Sequence, residues 1–166
     1  MYFTKYKPQI LLSILTICST LLIWLFFYFK LPSQIGLPKS NLETIFANYD
    51  GPNYIAIAKC GYNKNCIGPN FSLPQPLEYY PAHFPGYPIL INFFNNFTTG
   101  PKAMLFVTLL GSILLTLATY ALFKSFWLSF FLLFFPPRFL ILRSVGAPET
   151  WFIALTLLSI LYFRHK

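Results

Sequence analysis

All the acid in this chain is carried by Glu43, Asp50, Glu78 and Glu149. Three of these fall in one polar, aromatic-rich stretch between apolar segments, and the fourth follows Pro148 at the mouth of another. Asp50 is the candidate base, set in Asn48-Tyr49-Asp50-Gly51-Pro52-Asn53-Tyr54. A carboxylate among aromatics at a membrane surface can take the proton from an attacking hydroxyl, which is what sugar transfer from a lipid-linked donor requires. His83, Lys59 and Arg143 are further side chains able to donate a hydrogen bond or carry positive charge. Asp50, Glu78 and His83 could converge on a metal, yet no His-x-x-x-His or Asp-x-Asp spacing accompanies them. A lipid phosphate carries less charge than a nucleotide diphosphate, so neither a divalent metal nor another cofactor is expected.

The elements that must position these groups are apolar. Of 166 residues, 56% are hydrophobic, 20% aromatic and 10% charged, with a mean hydropathy of +0.58. Water is a poor solvent for such a chain, and membrane lipid is its expected surroundings. The formal charge of +8 comes from 12 Lys and Arg against 4 acids. The cations flank apolar runs instead of clustering, so no nucleic-acid partner is expected. The length admits about four spans at roughly 20 residues each. They fall at about 10–29, 103–123, 126–142 and 148–163 of one membrane domain covering 1–166. The first run is too long for a signal peptide and lacks a small-residue cleavage site after Lys30-Leu31-Pro32. Pro136-Pro137 and Arg138 should kink or end the third. Lys5, Lys7, Lys124, Arg164 and Lys166 put the N-terminus in the cytoplasm and turn the loop 30–102 outward.

That loop has local order of its own. Asn41 is a plausible helix cap, with Leu42, Ile45, Phe46 and Tyr49 on one helical face. A second short helix should run from Pro52 to Cys60 and stop at Gly61. Both suit the membrane surface. The Pro-rich remainder, 67–88, should be ordered by packing. Cys60 and Cys66 are placed to close a small turn around Gly61-Tyr62 if that face is oxidising, while Cys18 should be a packed thiol inside the first span. Asn70-Phe71-Ser72 and Asn96-Phe97-Thr98 match glycosylation sequons, which matter only in a secretory pathway.

Tyr49-Asp50-Gly51, Tyr54, Ile57-Ala58 and Gly61-Tyr62 resemble the opening motif of polytopic mannosyltransferases, similar to the GPI-anchor second-mannose transferase and its bacterial relatives. Ala82-His83-Phe84-Pro85-Gly86-Tyr87-Pro88 resembles their A-F-F-P-L-Y-P block, with His83 and Gly86 where Phe and Leu are usual. Ala147-Pro148-Glu149-Thr150-Trp151-Phe152 resembles their S-E-x-x-F helix entry. The likeness runs in order from about residue 46 to 162. It implies the N-terminal part of a GT-C fold, in the bacterial plasma membrane or endoplasmic reticulum. It further implies an inverting transferase that uses a polyprenyl- or dolichyl-phosphate sugar and a hydroxyl-bearing acceptor. Asp50 would be its general base, and Tyr54, Lys59, His83, Arg143 and Glu149 its substrate-binding residues. Members of that family have more spans, so a C-terminal half is an expected partner, and much of the donor groove would lie outside this chain.

Each of these residues also has a structural reading. Asp50 can cap the helix beginning at Pro52. Glu149 suits the dipole of its own helix, or can orient Arg143. Arg143 can snorkel to the interface, His83 can be a packed ring, and Tyr79-Tyr80 can be interface anchors. The whole chain can be read as a non-catalytic four-span accessory protein that binds a partner enzyme or lipid. A transporter or channel is disfavoured by spans that carry almost no charge apart from Arg138.

Overall fold

A computed structural model describes residues 6–38 and 40–164. The described residues are helical, with no strand among them. Helix α1 (Lys7–Tyr28) accounts for the first apolar run. A single-turn helix, α2 (Leu31–Gln34), follows it. Asn41 does cap α3 (Leu42–Phe46): its Oδ1 accepts from the Glu43 and Thr44 amides, and Thr44 Oγ1 accepts in return from the Asn41 amide. That reciprocal pair satisfies amides a helix start otherwise leaves open. The helix is shorter than its apolar spacing implies. Tyr49 lies outside it, in the left-handed region at φ 51°.

Helix α4 (Gly51–Cys60) begins one residue earlier than Pro52 and stops at Gly61, whose φ is 60°. A disulfide joins Cys60 to Cys66, the latter within α5 (Lys64–Asn70). Ala56, Ile57, Ile67 and Tyr80 form a small separate core under this corner, so Tyr80 is buried and is not an interface anchor. A short 3-10 turn (Tyr80–Ala82) leads to α6 (Gly86–Asn95). Only the first three residues of this last helix fall in the stretch expected to be ordered by packing, and no helix is expected there from the sequence.

Helix α7 (Gly100–Phe123) is the central element, packed against α1, α6 and the C-terminal helix α10 (Glu149–Arg164). The run 126–142 is not one helix. It divides into α8 (Phe126–Phe131) and α9 (Pro137–Leu142). Two consecutive prolines separate them, and neither offers an amide to the preceding turn. At 22 and 24 residues, α1 and α7 are long and apolar enough to cross a membrane. Each spans about 33–36 Å at 1.5 Å per residue. With 16 residues, α10 is shorter.

Polar and small residues fix how the helices meet. Thr16 Oγ1 donates to Thr116 Oγ1 across α1 and α7 at 3.3 Å. Trp24 Nε1 donates to the Ser144 carbonyl at 2.9 Å, and Trp151 Nε1 to the Val107 carbonyl at 2.8 Å. Gly111 makes room for the last of these: a Cβ there would lie 2.6 Å from both Thr150 Oγ1 and Trp151 Cδ1. Cys18, expected to be packed, instead lies on the outward face of α1.

Candidate functional site

The site is built where the start of α4 meets the turn before α10. Gly51 and Gly146 approach so closely that a Cβ on Gly146 would come within 3.0 Å of the Gly51 Cα and 2.6 Å of Met104 Cε. No side chain fits between these backbones. The contact sets Asp50, next to Gly51, beside the turn that ends at Pro148-Glu149.

Asp50 holds the N-cap position of α4, and its carbonyl accepts the Tyr54 amide at 3.0 Å. Its carboxylate does no capping. Oδ1 accepts from Asn53 Nδ2 at 3.3 Å, and Oδ2 lies 3.9 Å from His83 Nε2. The Asp50 side chain is half exposed, whereas His83 is buried. The His83 ring sits edge-on between Tyr54 and Tyr79, each at 5.0 Å. Its Nδ1 lies 3.3 Å from the Tyr80 carbonyl. The carbonyl and the Asp50 carboxylate that faces Nε2 both only accept, so the single N–H of the neutral ring serves one of them at a time.

An open, mostly apolar cleft of about 590 Å³ runs from this cluster between α6 and α10. Tyr54, His83, Tyr87 and Glu149 supply its polar groups, and Phe84, Leu90, Trp151 and Phe152 much of its wall. Burial pushes the Tyr54 phenol well above its ordinary range, and the charges of Asp50 and Glu149 push it the same way. Tyr87 is raised likewise by burial, opposed by its hydrogen bond with Thr108. Both therefore remain phenols and hydrogen-bond donors near neutral pH. Glu149 Oε2 is buried at the cleft without a hydrogen-bond partner among the described residues. Such an atom needs a donor from outside the chain.

The fold thus sets Asp50 beside His83, and brings Tyr54, His83 and Glu149 onto one cleft. Lys59 and Arg143 do not join them. Lys59 lies in the last turn of α4, about 13 Å along the helix from Asp50, with its ammonium 5.6 Å above the Phe71 ring. Arg143 is enclosed: Nε donates to the Leu133 carbonyl at 2.7 Å, and the guanidinium reaches Thr20 Oγ1 at 2.7 Å and Ser19 Oγ at 3.0 Å. Side chains on a helix lean toward its N-terminus, which turns Arg143 back along α9 and away from the Glu149 turn. Glu78 is also elsewhere, paired with Lys64 at 2.7 Å. That pairing holds its carboxyl below the usual range.

The sequence did not single out Asn53 or Tyr87 as part of the site. Asn53 sits three residues after Asp50 on the same helix, a spacing that brings side chains together. Tyr87 stands one residue beyond Gly86 in a block already noted, but its hydrogen bond to Thr108 needs the packed fold. Among the described residues no three of His, Cys, Asp and Glu gather at one point. Comparison with family models, curated proteins and solved structures gives no match to this chain.

Proposed function

We propose that this chain is the membrane-embedded, catalytic-loop part of a GT-C type glycosyltransferase, with Asp50 as its general base. One observation carries the reading. Three sequence blocks, around Asp50, around His83 and around Glu149, lie far apart in the chain and line one cleft. The acceptor hydroxyl loses its proton to Asp50 as its oxygen attacks the anomeric carbon. The bond from that carbon to the lipid phosphate breaks on the opposite face, so the sugar inverts. The polyprenyl or dolichyl phosphate leaves with the electron pair. With Lys59 and Arg143 turned elsewhere, the Tyr54 phenol is the donor at hand for its developing charge. No metal enters this scheme. Mannose is the sugar the motif resemblance implies.

The contacts between helices support four crossings. Thr16, Thr20 and Trp24 climb α1 in order, meeting Thr116, Arg143 and Ser144 in turn. Met104, near the start of α7, meets Gly146. Residues 126–146 accordingly rise beside α1 as a broken crossing, and α10 descends beside α7. With Trp151 level with Val107, α10 starts several residues below the beginning of α7, which accounts for its shortness. The many exposed apolar side chains, such as Leu22, Phe131 and Phe163, then face lipid. The N-terminus is cytoplasmic and the cleft faces outward.

The test is Asp50→Asn in membranes supplied with a polyprenyl-phosphate sugar and lipid acceptors. Complete loss of transfer with unchanged expression supports the base. A chain that shows no transfer of its own, yet still supports a partner enzyme after Asp50→Asn, is the accessory protein.

A further inference from the structure

The disulfide loop is tied to the candidate base through a tyrosine. Cys60 and Cys66 close a loop that contains Tyr62. The Tyr62 hydroxyl donates to the His83 backbone carbonyl at 2.6 Å, the shortest of the contacts around His83. Tyr80, whose carbonyl faces His83 Nδ1, is buried in the small core with Ile67, and Cys60 packs against that core. His83 is therefore held from the disulfide corner at its carbonyl by Tyr62, and by the Tyr80 carbonyl, which accepts the His83 amide at 3.0 Å and faces the ring Nδ1. Its Nε2 is left turned toward Asp50 Oδ2.

We infer that Tyr62 is a positioning residue: presented by the Cys60–Cys66 loop, it fixes the backbone of His83 and so sets the imidazole against Asp50. The covalent closure matters because Gly61-Tyr62-Asn63 lies between two helices at a glycine with φ 60°. An open connection of that kind samples many conformations, and a closed loop samples fewer. Reduction of the disulfide breaks the S–S bond; an added dithiol supplies the two electrons and two protons and is itself oxidised to a disulfide. It leaves Tyr62 on a free connection. The hydrogen bond to His83 is then made only part of the time, and its backbone is left with the hydrogen bond from its amide to the Tyr80 carbonyl alone.

The role of Asp50 rests on the transfer reading above, but the placement of His83 can be read without any activity. The experiment uses the full chain, labelled with nitrogen-15 histidine, in lipid nanodiscs, and His83→Gln identifies the His83 ring signals. In the oxidised wild type the two ring nitrogens should give separate resonances of one held tautomer. Tyr62→Phe and reduction of the wild type should each move them toward the average of a freely exchanging imidazole. Reduction of the Tyr62→Phe chain should add nothing, because loop and hydroxyl act through one contact. Unmoved resonances in Tyr62→Phe would overturn the inference, as would an equal further shift when that variant is reduced. If Tyr62→Phe loses helicity by circular dichroism, the reduced wild type decides alone, and unmoved resonances there overturn it. Where transfer is measurable, Tyr62→Phe should lower turnover about fivefold, the worth of one hydrogen bond, with KM unchanged. A chain that transfers nothing but still shows the histidine shifts would refute the transferase reading and leave this inference standing.

Discussion

Gly146 meets Gly51 across the cleft's edge with room for no side chain on either: a Cβ on Gly146 would lie 3.0 Å from the Gly51 Cα, and one on Gly51 would lie 2.9 Å from the Phe46 carbonyl oxygen. Backbone faces backbone at this point, and Met104 fills what space remains. The registry of Asp50 against Glu149 depends on this contact.

Gly146→Ala should therefore destabilise the chain by about 1–3 kcal/mol, the usual cost of forcing extra atoms into a packed site. It should also lower transfer, since the α10 turn must move. Met104→Ala vacates the space that the new methyl needs. The double variant should accordingly be more stable than the two single losses added together. Thermal unfolding of all four forms in detergent checks this, and strict additivity would disprove the close contact.

Glu149 presents a buried oxygen that nothing in the described chain satisfies. Glu149→Gln keeps the shape and supplies a donor in place of an acceptor. Substrate binding should weaken about tenfold, a loss typical of one charge-assisted hydrogen bond. Stability should hold or rise, because a carboxylate without a partner is removed. Kinetics measured beside unfolding temperatures separate the two effects. A loss of stability with KM unchanged would mean that Glu149 serves only the fold.

The Tyr54 phenol titrates above its unfolded value, so its burial favours the folded state while the group is neutral. That contribution is fully present below about pH 10, the unfolded value, and is lost as pH rises through the folded one. Stability should fall from about pH 10 upward, with late-ionising tyrosine absorbance near 295 nm. Tyr54→Phe should remove part of both. An alkaline limb identical in the variant would assign the effect to other tyrosines, Tyr87 first.

Arg143→Met should cost about 2–4 kcal/mol, from three hydrogen bonds to a charged donor. Arg143→Lys should recover only part of this, since one ammonium cannot reproduce a planar fork. Unfolding in detergent measures both. Wild-type stability in Arg143→Met would contradict the enclosed geometry.

Local signals in the sequence were dependable where the physics is local. The Asn41 cap, the Gly61 stop and the long apolar faces of α1 and α7 each depend on residues within a turn or two. Helix α6 was missed because Gly86 and Pro88 read as loop. Pro88 falls in the first turn, where its missing amide breaks no hydrogen bond. Asp50 was a plausible cap by position, but the lateral approach of His83 takes its carboxylate elsewhere, and no spacing encodes that. Arg143 was linked to Glu149 because the sequence places the two six residues apart. Its actual surroundings, Ser19 and Thr20, are more than a hundred residues away.

The same arginine bears on how the chain is assembled. Pro137 has no amide to offer the Leu133 carbonyl four residues earlier, and Arg143 Nε makes that bond instead. If residues 126–146 cross the membrane as proposed, an open carbonyl there has no water to turn to, and the segment is not self-sufficient. The guanidinium that repairs the break itself needs the hydroxyls of α1. On that reading α1, which precedes this segment in the chain, must be in place and correctly rotated when the segment arrives. Insertion of 126–146 would then be conditional on α1, and a lesion at Ser19 or Thr20 should register as failed membrane integration around Arg143, 123–124 residues downstream.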